Sequence, residues 1–453
     1  MGKYFGTDGF RGRANDVLTA IHAFRVGRFL GDRFSRLAGG ERARIVIGKD
    51  TRRSSYTLEY ALAAGATASG ADVYLLHVTT TASVSFVVRS EGFDCGVMIS
   101  ASHNSYEDNG IKLIGRGGEK MEDGLLEEVE AYLDGKHELP LATGSAVGRT
   151  VDYVAGRNRY LGYLLSIPRT SFRGMKVGLD CANGSAWAIS KAVFDALGAE
   201  VYLTGASPDG TNVNLACGST HPETLRALVQ EKRLDVGFAF DGDADRCICV
   251  NEKGEIVDGD GILYLLSKHL KSRGELEGSG IAITVMSNEG LVRSLEREGI
   301  FCTRTAVGDR FVYEEMLSRG YSLGGEQSGH IIIRKHAVTG DGILTALKVM
   351  EAMLEHKCPL SCLTEGFVRY PQILRTVRVK NKCVILRAEG VRGAVKRAEE
   401  LLGNGRILLR ASGTESVLRI LAEGESEELC RRAAQLVESA IYEFGEGDVC
   451  AGS

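Results

Sequence analysis

The chain has 453 residues, more than a single core usually holds, and length alone suggests about three domains. With 44% hydrophobic and 25% charged residues it is able to bury sizeable cores, and a formal net charge of −4 exerts no overall pull on nucleic acid. No apolar run approaches the roughly 20 residues a membrane helix needs.

The opening "MGKYFGTDGFRGRAN" has no apolar signal core, and "MGKYFG" lacks the Ser or Thr of a myristoylation site. A cytoplasmic protein with no nucleic-acid and no membrane partner is expected. Eleven cysteines, an odd number, are scattered without a C-x-x-C. Buried reduced thiols are expected rather than a disulfide framework or zinc site. The closest pair, Cys247 and Cys249, is expected on opposite faces of a strand.

"RARIVIGKDTRRSSYTLEYALAAGATASGADVYLLHV", Arg42 to Val78, starts with a β-branched run and a polar loop, then a helix-length segment and a second apolar run. That predicts strand, loop, helix, strand. "VMISASHNSYEDNGIKLIG", Val97 to Gly115, reads as a buried strand ending in Ser-Ala-Ser-His-Asn. Ser102 there is placed either for chemistry or for ordinary cap and turn bonding. Neither G-x-S-x-G nor G-x-x-x-x-G-K occurs, which disfavours a lipase-type hydrolase and a P-loop kinase. A serine near a metal could instead carry a phosphoryl group, with Lys112 as a nearby cation.

"GMKVGLDCANGSAWAISKAVFDALGAEVYLTG", Gly174 to Gly205, repeats the βαβ layout. "LDVGFAFDGDADRCICVNEKGEIV" then runs a buried strand into Asp241, Asp243 and Asp245, with Arg246 adjacent. Three alternate carboxylates repel one another, and a hard divalent cation with oxygen ligands would offset that. The alternatives are a solvated acidic turn and a helix-loop-helix calcium loop. The latter would use Asp241, Asp243, Asp245 and Glu252, but Arg246 stands where it requires glycine.

"GIAITVMSNEGLVRSLEREGIFCTRTAVG", Gly280 to Gly308, is a third βαβ unit. In parallel sheets ligands gather at the carboxyl ends of strands, so the polar loop after each unit's first strand is where function is sought. "LGGEQSGH", Leu323 to His330, mixes donors and acceptors suited to sugar hydroxyls, with His330 either structural or a proton carrier. "GRILLRASGTESVLRILAEG" reads as two strands around a Ser-Gly-Thr turn, either a simple hairpin or a phosphate cradle of Arg410, Ser412, Gly413 and Thr414. "SEELCRRAAQLVESAIYEF" has helical apolar spacing. Linkers are expected near Leu139–Val151, Gly254–Gly261 and Cys358–Pro371.

"YFGTDGFRG", "ISASHNSYEDNGIK", "DGDADR", "GGEQSGH" and "RASGTES" occur in that order along nearly the whole chain. In them the chain resembles the α-D-phosphohexomutases, most closely the bacterial phosphoglucosamine mutases. The resemblance implies an α/β fold of four domains around a central cleft. Three are similar mixed-sheet domains (1–150, 151–255, 256–367) and the fourth is a smaller α+β domain (368–453).

It further implies a phosphoserine at Ser102, which with Asp241, Asp243 and Asp245 holds one Mg²⁺. Arg11, Lys112, Arg246 and His330 would line the reaction centre. Glu326 and Ser328 would bind sugar hydroxyls, and Arg410, Ser412, Gly413 and Thr414 the non-reacting phosphate. The implied activity is interconversion of glucosamine 6-phosphate and glucosamine 1-phosphate through a sugar 1,6-bisphosphate, for UDP-N-acetylglucosamine and cell-wall synthesis. Glucose or mannose phosphate mutase is the alternative within the superfamily, and a Mg²⁺-dependent phosphatase the remote one. The partners implied are small sugar phosphates, and a homodimer is compatible with the family. Ala411 and Ser416 depart from prolines common in the family's phosphate loop, and Lys49 from a more usual Arg.

Overall fold

The computed structural model describes residues 2–39, 41–411 and 416–444. The chain forms two compact units. One holds the chain up to Met286 with Ile300–Glu365; the other holds Ser287–Gly299 and the chain from Gly366 onward.

The first unit contains three sheets built on one plan. In the first, β1 (Phe10–Arg13), β2 (Arg44–Lys49), β3 (Asp72–Val78), β4 (Cys95–Ile99), β5 (Asp108–Ile114) and β6 (Thr150–Asp152) lie in the order β1-β5-β4-β2-β3-β6. The second has β7 (Lys176–Asp180), β8 (Glu200–Thr204), β9 (Val236–Phe240), β10 (Cys247–Asn251) and β11 (Ile256–Val257), ordered β11-β10-β9-β7-β8. The third has β12 (Gly280–Thr284), β13 (Phe301–Thr305), β14 (Leu323–Gly325) and β15 (Ile331–Ile333), ordered β13-β12-β14-β15.

In each sheet a central strand is flanked by two parallel partners, one of which turns back into an antiparallel strand. The predicted βαβ units are β2–β3, β7–β8 and β12–β13. Each needs a helical crossover because its strands run parallel. The central strands are apolar on both faces, as sheets covered by helices require. Ile45, Val46 and Ile47 of β2, for example, are fully buried.

The position of function within the plan corrects one expectation. The serine, aspartate and sugar loops do not follow the first strand of each unit. They join β4 to β5, β9 to β10 and β14 to β15, where a parallel strand reverses into its antiparallel neighbour. The carboxyl ends of parallel neighbours lie at the same sheet edge, so these turns open on the edge the first-strand loops also occupy.

The second unit has one antiparallel sheet, β16 (Gln372–Arg378), β17 (Arg406–Ala411) and β18 (Val417–Glu423), ordered β16-β18-β17. Its core includes Val377, Leu418, Ile420, Ala433, Val437 and Ile441. The helix Glu427–Phe444 supplies the last three, at the spacing that predicted it. Ten cysteines are free thiols, and the eleventh, Cys450, lies outside the described residues. Cys247 and Cys249 stand two apart on β10 and so share a face, contrary to expectation. Among the described residues no helix is long and apolar enough to cross a membrane.

Candidate active site

Ser102 is 1% exposed and sits three residues beyond β4 with φ +53°, a backbone region few non-glycine residues adopt. Several contacts hold it there. Its N–H donates to Ser100 Oγ at 2.8 Å, and Ser100 Oγ donates to Asp50 at 2.7 Å. Asp50 also accepts from Ser55 Oγ at 2.8 Å and pairs with Arg52. The buried Arg52 donates to the carbonyls of Ser102 (3.2 Å) and Asn104 (2.6 Å). Asn214 Nδ2, from the second layer, donates to the same two carbonyls at 2.8 and 2.9 Å. A strained residue persists where its surroundings over-determine it, and such sites cluster at function. Sequence reasoning missed Asp50, Arg52 and Asn214. The polar loop "GKDTRRSS" after β2 was the available signal for the first two.

The metal-ligand candidates converge as expected. Asp241, Asp243 and Asp245 are buried, and each offers an oxygen within 4.8 Å of the others. Ser102 Oγ donates a short hydrogen bond to Asp241 Oδ2, so the first two layers meet at the hydroxyl. Gly242 makes the approach feasible, because a Cβ there would lie 2.6 Å from the Ser102 carbonyl oxygen. Lys112 Nζ donates to Asp243 at 2.5 Å and Asp245 at 2.9 Å.

Burial and the charges of Asp245 and Asp243 push Asp241 up to about 8. Burial opposes a charge on Lys112, but Asp243 and Asp245 outweigh it and keep the ammonium protonated far above neutrality. Asp243 Oδ1 is buried without a hydrogen-bond partner among the described residues, and Asp245 Oδ1 has only His330 Nδ1 at 3.8 Å. An all-oxygen, buried, anionic cluster with unused oxygens fits a hard divalent cation. The calcium-loop alternative fails, since strands flank the aspartates and Glu252 instead accepts from Ser361.

Other predicted residues gather around this centre. Arg11 on β1 pairs with Gly110 of β5 and lies 3.4 Å from Asp8 Oδ2. The Arg246 N–H donates to Asp241 Oδ1 at 3.2 Å, while its Nε is buried without an acceptor. His103 Nδ1 lies 3.3 Å from Ser102 Oγ. Burial, Arg246 and Arg11 push that imidazole down to about 4, so it is neutral.

His330 is buried between Asp245 and Asp309. Burial disfavours a charge on it, and Asp309, Asp245 and Glu326 raise its proton affinity. Together they push it up to about 9, and the ring stands with Nε2 2.9 Å from the Gly340 nitrogen and Nδ1 3.8 Å from Asp245 Oδ1. Glu326 Oε1 accepts the Gly308 N–H at 3.2 Å, and Ser328 Oγ is buried without a partner among the described residues. Lys120 Nζ, also missed from sequence, bridges the Thr7 carbonyl (2.6 Å), Asp8 (2.9 Å) and Asp309. Arg410 lies on β17 of the second unit, opposite Arg419. Ser412, Gly413 and Thr414 lie outside the described residues.

The fold and this cluster define a multidomain α/β protein with a buried carboxylate site that could bind a metal beside a serine hydroxyl. Comparison sharpens the class. Models of the phosphoglucomutase/phosphomannomutase α/β/α domains I, II and III match residues 2–139, 158–254 and 258–370, and that of the C-terminal domain matches 374–440. The chain belongs to the phosphoglucomutase/phosphomannomutase family.

It is 57% identical to a phosphoglucosamine mutase of Lachnospira eligens over 98% of this chain and 99% of the relative. It is 55% identical to one of Lachnoclostridium phytofermentans at the same coverage. Among solved structures it resembles a phosphoglucomutase/phosphomannomutase family protein of Burkholderia thailandensis, with a TM-score of 0.82 and 26% identity, covering 97% of each chain.

Proposed function

We propose that the protein is a phosphoglucosamine mutase, interconverting glucosamine 6-phosphate and glucosamine 1-phosphate through a phosphoserine and a 1,6-bisphosphate. The observation that carries this is the Ser102 hydroxyl bonded to one carboxylate of a buried triad whose other two members hold Lys112. Full-length relatives at 57% and 55% identity bear the same name.

Asp241, Asp243 and Asp245, with an oxygen of phosphorylated Ser102, would hold a Mg²⁺, which supplies charge neutralisation for the transferring phosphoryl group. Arg11 and Arg246 add positive charge at the same place. In the first half-reaction a sugar hydroxyl oxygen bonds to phosphorus as the bond to Ser102 Oγ breaks, and the hydroxyl proton passes to a neighbouring base. In the second, with the bisphosphate turned around, Ser102 Oγ bonds to the phosphorus of the other phosphate as that phosphorus leaves its sugar oxygen, and a proton passes from the serine side to that oxygen. We assign the proton transfers to Lys112 and His330. Glu326 and Ser328 bind sugar hydroxyls, and Arg410, Ser412, Gly413 and Thr414 receive the phosphate that is not reacting. Positioning and charge neutralisation provide most of the catalysis in such transfers.

The test is kcat/KM on glucosamine 6-phosphate, glucose 1-phosphate and mannose 1-phosphate side by side, with Mg²⁺ and a catalytic amount of sugar bisphosphate. Preference for the amino sugar is expected. No turnover of glucosamine phosphate, with turnover of glucose or mannose phosphate, would reassign the protein to general hexose metabolism.

A further inference from the structure

The mutase reading gives Arg11 the task of adding positive charge where the phosphoryl group transfers. Strand pairing sets Arg11 opposite Gly110 of β5 and so fixes its backbone, but not the direction of its guanidinium. Among the described residues the guanidinium finds its hydrogen-bond and ion-pair partners on Asp8 alone. Its Nε donates to the Asp8 carbonyl at 3.3 Å, and a terminal nitrogen lies 3.4 Å from Asp8 Oδ2.

Asp8 stands at the tip of a hairpin. Gly6 and Gly9 exchange N–H···O bonds of 3.1 and 3.3 Å across the two-residue turn Thr7-Asp8. At the tip, Lys120 Nζ holds the Thr7 carbonyl and the Asp8 carboxylate. The inner leg is β1, fixed by β5. The outer leg, residues 3–5, pairs with no strand among the described residues. Its three consecutive N–H groups go to one side chain instead. The Lys3 N–H donates to Glu130 Oε2 at 2.9 Å, and those of Tyr4 and Phe5 donate to Oε1 at 2.9 and 2.8 Å.

Burial works against a charge on Glu130, but the Phe5, Tyr4 and Lys3 N–H groups outweigh it and hold the carboxyl below its ordinary value. Bonds to an ionised acceptor are the strong ones. Glu130 lies on the helix Asp123–Leu133, whose Val129, Tyr132 and Leu133 share a core with Phe5 and Phe10. That apolar packing presses the leg against the helix without direction. The three directed bonds to Glu130 set its register, and with it the place of the turn.

We propose that Glu130 is a positioning residue for phosphoryl transfer: it fixes the outer leg, the leg sets the Thr7-Asp8 turn, and Asp8 sets the direction of the Arg11 guanidinium. This rests on the mutase reading, which supplies the reaction that Arg11 serves. The test is a double-mutant cycle on the full-length enzyme with glucosamine 6-phosphate, Mg²⁺ and a catalytic amount of bisphosphate. Glu130→Ala and Glu130→Gln are each made in the wild-type and in the Arg11→Ala background. Glu130→Ala is expected to lower kcat/KM at least about tenfold in the wild-type background, mostly through kcat, since a misplacement of about 1 Å can cost about a hundredfold. Glu130→Gln keeps a carbonyl acceptor for the Tyr4 and Phe5 N–H groups and is expected to lose less. In the Arg11→Ala background either change is expected to cost less than about twofold, because the group being positioned is gone.

A fall in melting temperature is common to a positioning and a merely structural role; dependence on Arg11 is not. Equal losses in both backgrounds, or unchanged kcat/KM in Glu130→Ala, overturn the inference and leave the mutase reading intact. Asp134→Asn is the control: it removes the contacts of Lys3 Nζ (2.5 Å) and Tyr4 OH (2.9 Å) with Asp134 but spares the three N–H bonds. It is expected to change kcat/KM less than about twofold, as an exposed pair should. A loss as large as that of Glu130→Ala would make the effect general tethering and overturn the inference. If Glu130→Ala does not fold, Glu130→Gln carries the same comparison. If Arg11→Ala turns over too slowly to read, the rate of phosphate transfer from bisphosphate to the protein, followed by intact mass, replaces turnover. Wild-type protein that turns over no sugar phosphate removes both the mutase reading and this inference.

Discussion

Ser102 is an unusual serine at the level of its own backbone. A left-handed φ is costly for a residue with a Cβ, yet Ser100, Arg52 and Asn214 all hold it there. The result is a hydroxyl aimed at Asp241 rather than at solvent. Ser102→Ala keeps a Cβ and therefore the same backbone demand, so the fold is expected to persist with little change in melting temperature. Turnover is expected to vanish, together with phosphate transfer from bisphosphate to the protein, read by intact mass. Normal turnover in that variant would sink the phosphoserine mechanism. Ser102, Lys112 and the three aspartates were legible in the sequence because each sits in a short motif whose residue types imply chemistry. Asp50, Arg52, Asn214, Lys120 and Asp309 were not, because their meaning comes from partners far along the chain, as in the 112 residues between Asn214 and Ser102.

At the scale of elements, the site depends on one device used three times, a parallel strand that reverses into a hairpin. The third hairpin is followed by the helix Gly342–His356, whose N-cap, Asp341, accepts from the Leu344 N–H at 2.9 Å and from Tyr160 at 2.8 Å. Burial pushes Asp341 up to about 6, against 3.8 ordinarily, despite those bonds. The sign follows from proton binding. Between about pH 4 and 6 the folded state holds a proton that the unfolded state has lost, so this group's contribution falls as pH rises, by roughly 2–3 kcal/mol in all. Asp341→Asn keeps the cap and removes the titration. Its urea midpoint, relative to wild type, is expected to rise from pH 4 to pH 7 and level off. A pH-independent difference would contradict a buried, proton-retaining Asp341.

At the scale of the whole molecule, three layers of the first unit contribute to one charge cluster, so ligand binding there is coupled to the integrity of all three. A cation that binds only the folded state stabilises by RT ln(1 + [L]/Kd), about 2.7 kcal/mol at a hundredfold excess over Kd. Mg²⁺ is therefore expected to raise the wild-type melting temperature. In Asp243→Asn that increment is expected to shrink, with turnover lowered by orders of magnitude. Full activity after exhaustive chelation would contradict the assignment of the triad. Trypsin resistance with and without Mg²⁺ gives the same answer without an activity assay.

The sequence by itself determined the repeated βαβ units, the C-terminal sheet strands and helix, and the residue types of each loop. Periodicity, turn residues and local carboxylate spacing are properties of neighbouring positions. Only the tertiary structure decided which strand end carries each loop. It also decided that Ser102 meets Asp241 across 139 residues. Those outcomes depend on sheet order and on charges brought together from different layers, which no local pattern encodes.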